Sequence, residues 1–403
     1  MGMEEKDAVI VGARCAGSTL ALALAKRGWN VLVVDGDRFP SETISTHGIY
    51  PNTLARFDQL GVMETLRASH DVPLLASRLV GLGNEVAGLY TPIDGYDRMA
   101  VIRRSALDKA IIDTALQAGA EGRFGERVVD LIGSGTEEDP VAGVVLENGD
   151  RVKSKWVFGA DGRASTVASR LGIERERALQ GEVSFLFGYW RGIPNNDYAT
   201  LQIHEREFAS RTAVEDGLHL LIAMGDAELT RGNEQERRRK YVELLGRFPE
   251  MLEPGLLEQA EMVGDVVVAP ESLMRGFFRK PTGPGWALVG DASHFKHPGT
   301  AQGIADAVEA ALYVAERVSS SLPGLEEHEA WRDARAVEHY EWSFAWGRFP
   351  HPETATKLWR GWAGDAEAGQ DLRDSFSRLV EPSQVTTKER LARWFGDAVP
   401  ERA

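Results

Sequence analysis

Cysteine is almost absent from this chain of 403 residues, in which Cys15 is the only one. A single cysteine excludes an internal disulfide and a cysteine-based metal cluster, and it suits a reducing compartment. Long apolar runs are missing as well, since no stretch approaches the ~20 residues of a membrane-spanning helix. The acidic start, MGMEEKD, leads directly into a strand-like run and lacks the features of a signal peptide. We therefore expect a cytoplasmic protein without a membrane partner.

Basic residues are in deficit, because 46 Lys and Arg stand against 61 Asp and Glu and give a formal net charge of -15. Nucleic acids and anionic membrane surfaces both attract basic proteins, so this balance argues against either partner. Hydrophobic residues make up 43% of the chain and charged residues 27%, which is the ordinary composition of a folded globular protein.

The first 35 residues have the pattern of a β-α-β unit. Residues 7–11 form an apolar run, a helix-like stretch follows to Arg27, and Gly28 is suited to end that helix. Residues 30–35 (NVLVVD) form a second apolar run that ends at an acid. Near-continuous Val, Ile and Leu runs that alternate with helices are typical of parallel strands buried on both faces. The pattern predicts an α/β fold with a Rossmann-like layer.

Two kinds of segment alternate along the rest of the chain. Strand-like runs punctuated by glycine continue the α/β pattern, whereas residues 182–224 alternate apolar and aromatic residues as antiparallel strands do. The last part has a helical pattern and holds six of the ten tryptophans. We therefore predict a discontinuous nucleotide-binding domain, an inserted antiparallel β-sheet substrate domain and a C-terminal helical region. The predicted boundaries are 1–75, 96–178 and 275–325 for the first, 76–95 and 179–274 for the second, and 326–403 for the third.

A glycine-rich turn, GARCAG, joins the first predicted strand to the first helix. It approximates the G-x-G-x-x-G pattern of dinucleotide sites, in which Gly12 permits a tight turn and Gly17 lets the helix pack against the strand. The helix N-terminus then offers free N–H groups and a partial positive charge to a pyrophosphate. Asp35 ends the next strand, where an acid accepts hydrogen bonds from the adenosine ribose. Arg14 replaces the middle glycine, so a plain packing turn is the alternative. The candidate cofactor-binding residues of the turn are Gly12, Ala13, Arg14, Ala16 and Gly17.

Three further segments carry motifs. The first is VFGADGRAS at residues 157–165, and the second is ALVGDA at residues 287–292, continued by SHFKHPGTAQG to residue 303. The third, RRSALD at residues 103–108, contains the pattern R-x-x-L-D. Together with the glycine-rich turn, these motifs resemble in order and spacing the flavoprotein monooxygenases of the p-hydroxybenzoate hydroxylase type over residues 7–320. The R-x-x-L-D segment is also found in the related geranylgeranyl reductases.

The resemblance implies an FAD site. Asp35 would bind the adenosine ribose, Arg104 would lie near the pyrophosphate or ribitol, and Asp291 would bind the ribitol hydroxyls. Asp161 would lie beside the pyrophosphate, in a segment that the family also uses for the nicotinamide cofactor. The family usually has an arginine three residues after the serine of that segment, but this chain has Ala168. NAD(P)H is the expected electron donor, and reduction by a separate flavin reductase stays an open alternative.

The resemblance also implies the chemistry. Reduced flavin carries negative charge, which a helix beginning near Gly303 would stabilise, with Gln302 contributing. Pro298 and Gly299 would form a small wall where oxygen reacts, so both are candidate catalytic positions. The implied reaction is reduction by NAD(P)H followed by transfer of one oxygen atom from O2 to a small organic molecule, aromatic or otherwise electron-rich, through a flavin hydroperoxide.

Three histidines fall within the family motifs. Residues 46–48 correspond to a turn against the flavin ring, which makes His47 a candidate catalytic residue; the alternative is a surface or capping histidine. His294 and His297 have a spacing that metal ligands sometimes show, but the sequence offers them no further ligands, so we predict no metal site. We expect Lys296, between them, to be solvated.

Aromatic residues mark the expected substrate pocket between the flavin and the inserted sheet. Phe185, Phe187, Tyr189 and Trp190 cluster on one predicted strand, and core packing is the alternative for each of them. The tryptophans of the C-terminal region should pack that region on the core, close the pocket or form a homodimer face. They are Trp331, Trp342, Trp346, Trp359 and Trp362.

Three other functions compete with oxygen transfer. Geranylgeranyl reductases carry a Y-x-W-x-F-P segment before the G-D motif, but the similar residues 340–344 follow that motif here. Flavin halogenases carry W-x-W-x-I-P, which residues 190–194 match only in part. A protein that binds flavin without turnover is the remaining alternative. The sequence therefore predicts a monooxygenase, with FAD-dependent double-bond reduction as the nearest alternative.

Overall fold

The computed structural model describes residues 4–45, 47–319, 324–348 and 351–396. Thr46 of the predicted flavin turn and residues 397–403 of the predicted C-terminal region lie outside this set. The strands, in chain order, are β1 (Glu4–Val11), β2 (Val31–Asp35), β3 (Gly48–Ile49), β4 (Ala76–Gly81), β5 (Asn84–Gly88), β6 (Ala100–Val101), β7 (Glu121–Phe124), β8 (Val128–Ile132), β9 (Gly143–Leu146), β10 (Arg151–Gly159), β11 (Glu176–Gln180), β12 (Ser184–Arg191), β13 (Tyr198–His204), β14 (Glu207–Ala213), β15 (His219–Gly225), β16 (Glu261–Ala269), β17 (Arg275–Phe278), β18 (Thr282–Gly283), β19 (Trp286–Leu288) and β20 (His294–Phe295).

The α-helices of the described residues follow the same order along the chain. They are α1 (Cys15–Lys26), α2 (Pro51–Leu60), α3 (Val62–Arg67), α4 (Arg104–Gln117), α5 (Thr166–Arg170), α6 (Glu234–Leu245), α7 (Leu256–Gln259), α8 (Gly303–Arg317), α9 (His328–Trp346), α10 (Pro352–Gly364), α11 (Ala366–Phe376), α12 (Pro382–Val385) and α13 (Lys388–Phe395). No helix of the described part of the chain combines the length and apolar character that crossing a bilayer requires.

A parallel sheet forms the centre of the molecule. Strands β19, β10, β1, β2 and β7 are neighbours in that order and run parallel, with β18 antiparallel at one edge. Ile10 and Val33 face α1, α4 and α8, while Val9 and Leu32 face the layer that contains α5, β8 and β9. Burial on both faces explains why these strands read as continuous apolar runs. The predicted α/β class with a Rossmann-like layer is confirmed.

The turn between β1 and α1 requires glycine at two positions. Gly12 has a φ of 102°, a backbone conformation that residues with a side chain rarely adopt. A Cβ atom on Gly17 would lie 1.8 Å from the carbonyl oxygen of Gly12, so a side chain there would push α1 away from the strand. The first turn of α1 is therefore held against the carboxyl end of β1.

A second sheet has seven strands in the order β16-β12-β15-β14-β13-β4-β5. Side chains alternate between its two faces: Phe185 and Phe187 of β12 contact the rings of His297 and His47, whereas Leu186 and Trp190 pack against α6. The sheet is not wholly antiparallel, as the alternation suggested, because β13 pairs with β4 in parallel. These two strands come from distant chain segments, so no hairpin constrains their relative direction.

The C-terminal helices pack against the second sheet and the loop before α8. Trp346 of α9, Trp359 and Trp362 of α10 and Phe376 of α11 form one aromatic cluster, with ring centroids 5.6–6.4 Å apart. The indole of Trp359 lies directly over Gly81 of β4, where a Cβ atom would come within 2.2 Å of it. The tail is thus packed on the core rather than attached beside it.

Candidate functional site

The carboxyl ends of the parallel strands open into a cleft of about 750 Å³. This edge of the sheet is where open α/β folds usually bind their ligands. Its lining brings together residues that are far apart in sequence. The predicted residues in the lining are Gly12, Arg14, Ala16, Asp35, Arg104, Asp161, Asp291, Pro298 and Gly303.

Five predicted residues do not line this cleft, and one of them, His47, is described separately below. The amide N–H of Ala13 donates to a carboxylate oxygen of Asp35 at 2.6 Å, and Gly17 is enclosed at the contact between α1 and β1. Gly299 lines a second cavity, described below. Gln302 is fully buried and its amide turns away from the cleft, towards the tail.

Asp35 stands at the end of β2 with both oxygens facing backbone donors. One oxygen accepts from the N–H of Ala13 and the other from the N–H of Asp37 at 2.8 Å. Burial raises the pKa of this carboxyl, and the two backbone hydrogen bonds oppose the rise. The two contacts orient the carboxylate, whose remaining lone pairs can accept hydroxyl donors such as those of a ribose.

Asp108 holds together the cationic side of the cleft. It is the last residue of the R-x-x-L-D motif, but the motif did not indicate this role. It is fully buried, and its oxygens accept from Arg14 at 2.9 Å and from Arg104 at 2.9 Å. The Cys15 thiol lies 3.2 Å from the same carboxylate, and burial raises the pKa of this thiol. One carboxylate thus holds two guanidinium groups beside the N-terminus of α1. A pyrophosphate would meet two cations and free N–H groups at this point.

Asp161 and Asp291 lie at the ends of β10 and β19. Asp161 accepts from the N–H groups of Thr166 at 2.6 Å and Val167 at 3.2 Å, while its second oxygen is buried without a hydrogen-bond partner among the described residues. Asp291 forms no hydrogen bond or ion pair with the described part of the chain. Burial raises the pKa of both carboxyls, and for Asp291 the nearby Arg163 is the largest opposing influence. One oxygen of Asp161 and both oxygens of Asp291 therefore lack a partner among the described residues. Two such carboxylates at one cleft fit a ligand that carries several hydroxyl donors, as the ribitol chain of FAD does.

Replacing Asp291 with alanine is expected to weaken FAD binding by about 10- to 100-fold, because charge-assisted hydrogen bonds contribute roughly 1.5–3 kcal/mol each. Titration of the apo-protein with FAD, followed by flavin fluorescence, measures this change. The variant loses a half-buried carboxylate without a partner in the described residues, so the stability of its apo form should be equal to or above that of the parent. Asp130→Ala, at an exposed site, is the matched control. Unchanged FAD affinity in the Asp291 variant would remove this residue from the cofactor site.

The loop between β20 and α8 forms one wall of the cleft. Pro298 and Gly299 belong to a single 3-10 turn, in which the N–H of Gly299 donates to Nδ1 of His297 at 3.1 Å. Helix α8 begins at Gly303 without a side-chain cap, so its first N–H groups are available to an anionic ligand. His297 therefore has a local structural role, and the described residues contain no group of three metal-ligating side chains.

Lys296 and Gln302 differ from their expected positions. Lys296 is buried rather than solvated, and its ammonium group lies 2.9 Å from Asp306 and 3.1 Å from the Gln302 side chain. Asp306 also pairs with Arg378 of the tail. The Gln302 amide donates to the carbonyl oxygen of Ser375 at 2.9 Å, so this side chain connects the loop to the tail rather than facing a flavin.

His47 is buried behind the wall of the cleft and is not a surface histidine. Its φ is 62°, its ring lies 5.8 Å from that of Phe187, and Nε2 is hydrogen-bonded to the hydroxyl of Tyr189. Burial, together with the positive charges of Arg104 and Arg103, lowers the pKa of His47 to about 3. The imidazole is therefore neutral near pH 7. The ring lines neither cavity, and the next residue, Gly48, lines both.

A second, smaller cavity of about 120 Å³ lies between the cleft and the second sheet. It shares Gly48, Pro298 and Ala301 with the cleft, so the two spaces meet at these three residues. Phe185 of the predicted aromatic strand lines it, whereas Trp190 lies on the opposite face of the sheet. The other walls come from the second sheet, the α2 region and the tail. They include Tyr50, Tyr90, Met99, Val101, Phe208, Leu220, Ile222, Met224, Trp346 and Phe376.

Residues 5–330 match the model of a protein family described as "FAD binding domain". The matched region contains all four motifs and every carboxylate that faces the cleft. Fold and site thus define a flavin-dependent oxidoreductase. The chain belongs to this FAD-binding family, which confirms the family predicted from the motifs.

Relatives with known names cover most of the chain. A menaquinone reductase of Mycolicibacterium smegmatis is 27% identical over 348 residues, which are 85% of this chain and 83% of that protein. Monooxygenase 1 of Arabidopsis thaliana is 29% identical over 330 residues, or 78% of each chain. Among solved structures, a flavoprotein/dehydrogenase from Cytophaga hutchinsonii has a TM-score of 0.78 at 16% identity and 94% coverage of each chain, which is a likeness of fold.

Proposed function

We propose that this protein is an FAD-dependent monooxygenase that transfers one oxygen atom from O2 to a small organic substrate. The observation that carries the proposal is the junction of the two cavities at Gly48, Pro298 and Ala301. A dinucleotide cleft and an apolar cavity meet there across small side chains only. A flavin ring at that junction would separate a charged, hydrated space from one that excludes water.

The residues of the cleft would hold FAD along its length. Asp35 would bind the adenosine ribose, Arg14 and Arg104 the pyrophosphate, and Asp291 the ribitol. Bound FAD supplies the redox chemistry, since it accepts two electrons from a donor and passes them to O2. Asp161 would lie beside the pyrophosphate, with its unpaired oxygen towards the cofactor.

The chain itself would contribute electrostatics and exclusion of water. The free N–H groups at the start of α8 would stabilise negative charge on the adjacent ring edge. Pro298 and Gly299 leave room for oxygen beside the junction, because neither carries a side chain that extends into it. The apolar walls of the smaller cavity would keep water from the reacting atoms.

NAD(P)H is the proposed electron donor, and Arg163 supports it because this cation lines the cleft without an ion-pair partner in the described residues. Reduction by a separate flavin reductase and assembly as a homodimer stay predictions. The reducing cytoplasm is the proposed location, in keeping with a single, buried cysteine.

Double-bond reduction is the second candidate function. A reductive rather than oxygenating reaction is favoured by the relative named menaquinone reductase, which aligns with 85% of this chain. In that reaction electrons would pass from the reduced cofactor to a carbon–carbon double bond, and no oxygen would enter the product. The two functions therefore differ in the fate of O2.

The deciding experiment supplies FAD-loaded protein with NADPH or NADH, ¹⁸O2 and neutral one-ring probes such as p-cresol. A monooxygenase should consume O2 and NAD(P)H in equal amounts and place ¹⁸O in the product. Leu220→Trp, which fills the smaller cavity, should abolish stimulation by the probe while FAD stays bound; Leu379→Trp, at an exposed position, is the control. A product without ¹⁸O, or oxidation of NAD(P)H that gives only hydrogen peroxide with every probe, would contradict the proposal.

A further inference from the structure

We propose that the smaller cavity selects uncharged one-ring molecules and that Ser210 and Thr212 bind a hydroxyl or carbonyl substituent on them. This inference rests on the proposed function in taking the cavity as the substrate site. It concerns recognition, and it adds the chemical class of the ligand. Three independent features of the cavity support it: its charge, its hydroxyl groups and its size.

No residue that lines the cavity is ionised at neutral pH. The lining consists of aliphatic, aromatic, glycine, proline, serine and threonine residues, and it contains no Lys, Arg, His, Asp or Glu. A carboxylate or ammonium group inside it would lose its hydration without gaining a counter-charge, which is strongly unfavourable. Charged residues of the site, such as Arg104 and Asp291, line the cleft on the other side of the junction. We therefore expect the smaller cavity to bind uncharged molecules in preference to charged ones.

Two hydroxyl groups on β14 are positioned to bind a ligand. Ser210 lies opposite Ile222 and Thr212 opposite Leu220 across the β14–β15 pair, so all four share the face that lines the cavity. Neither hydroxyl forms a hydrogen bond with another described residue. By contrast, the hydroxyl of Tyr50 donates to the carbonyl oxygen of Thr300 at 3.1 Å. The unengaged pair on β14 can therefore donate to, or accept from, an oxygen on the ligand.

The size of the cavity limits the ligand to one ring. Its volume of about 120 Å³ is close to that of an engineered apolar protein cavity of roughly 150 Å³ that binds benzene. Side chains such as Met99 and Met224 can adapt to a substituent, because methionine is flexible. A fused ring system would exceed this space unless part of it extended through the junction into the cleft.

The test measures binding by the change in the visible spectrum of oxidised flavin, with no reductant present. Three probes of nearly equal shape are titrated into FAD-loaded protein: p-cresol, 4-hydroxybenzoate and toluene. We expect 4-hydroxybenzoate to bind at least about 100-fold more weakly than p-cresol, since it adds a buried charge. Toluene should bind roughly 10-fold more weakly than p-cresol, since it lacks the hydroxyl.

Variants assign the hydroxyl contact. Ser210→Ala and Thr212→Val, singly and combined, should reduce the difference between p-cresol and toluene to less than about threefold and leave toluene affinity unchanged. Ser169→Ala, an exposed serine far from the cavity, is the control. Should a variant fail to fold, the comparison of the three probes on the parent protein still decides charge and hydroxyl selection.

The outcomes separate this inference from the proposed function. Comparable affinities for p-cresol and 4-hydroxybenzoate, or no binding of p-cresol up to its solubility limit, would overturn charge selection. Variants that keep the full preference for p-cresol over toluene would overturn the role of Ser210 and Thr212. Because no turnover is measured, a protein that binds as expected but incorporates no ¹⁸O would refute oxygen transfer alone.

Discussion

Lowering the pH from 7.5 to 5 is expected to lower the thermal unfolding midpoint by at least about 10 °C, because six of the nine histidines are buried in neutral form. Burial is the largest cause of each shift. It lowers the pKa to about 3 for five of them and to about 4 for the sixth. The five are His47, His294, His297, His328 and His339, and the sixth is His219.

The direction follows from where protons bind. An unfolded histidine takes up a proton as the pH falls through about 6.5, whereas these folded histidines stay neutral down to about pH 3 or 4. Between those values the unfolded state binds more protons, so stability is lost as the pH falls. Each fully expressed shift amounts to about 2 kcal/mol at pH 5. Asp35, Asp161 and Asp291 act in the opposite sense, because burial raises the pKa of each. The six histidines outnumber these three carboxyls, so we expect a net loss of stability as the pH falls.

Calorimetry between pH 5 and 8 checks this expectation, and His328 offers a clean variant. Neither ring nitrogen of His328 has a hydrogen-bond partner in the described residues, and the ring stacks on Tyr313 at 5.6 Å. His328→Phe should therefore recover about 2 kcal/mol of the loss at pH 5, while His204→Phe at an exposed site should recover none. An unfolding midpoint that is independent of pH over this range would contradict the buried, neutral state of these histidines.

Replacing Asp306 with asparagine is expected to destabilise the protein by about 3–5 kcal/mol. This carboxylate is the shared partner of Lys296 and Arg378, both of which are buried. Without it, Lys296 would lose its only ion-pair partner in the described residues, and Arg378 would keep only Glu309, at 3.9 Å. Urea unfolding of the apo-protein measures the change in free energy of unfolding.

Two comparisons isolate the cause of this loss. Asp113→Asn removes the carboxylate of a partly exposed pair with Lys109 and should cost less than about 1 kcal/mol. Adding Lys296→Met to Asp306→Asn should restore part of the lost stability, because it removes the buried cation that is left without an ion-pair partner. A double variant no more stable than Asp306→Asn alone would show that the charge of Lys296 does not cause the loss of stability.

The parts of the site that could be predicted are those with local signals. Asp35, Asp161 and Asp291 each follow a buried strand, and the carboxyl ends of parallel strands meet at one edge. The requirement for Gly12 and Gly17 follows from the same strand–turn–helix unit. Neighbouring residues in the sequence thus determine where the proposed cofactor-binding groups lie.

The parts that could not be predicted depend on distant partners. Lys296 reads as a solvated residue in a loop, since Arg378 is 82 positions away, and the amide of Gln302 meets the carbonyl of Ser375 in the tail. The same holds for the parallel pairing of β4 with β13, which are separated by more than 100 residues. His47 could be recognised as part of a turn, but its burial against Tyr189 depends on β12.

The tail has a consequence for how function can be transferred between relatives. Two walls of the smaller cavity, Trp346 and Phe376, lie beyond residue 330, where the match to the FAD-binding family ends. The match covers the cleft and most walls of the smaller cavity, but it does not include these two aromatic side chains. The proposed substrate cavity is thus completed by a segment outside the matched region, so exchanging this segment between homologues offers a direct test of its effect on the compounds they accept.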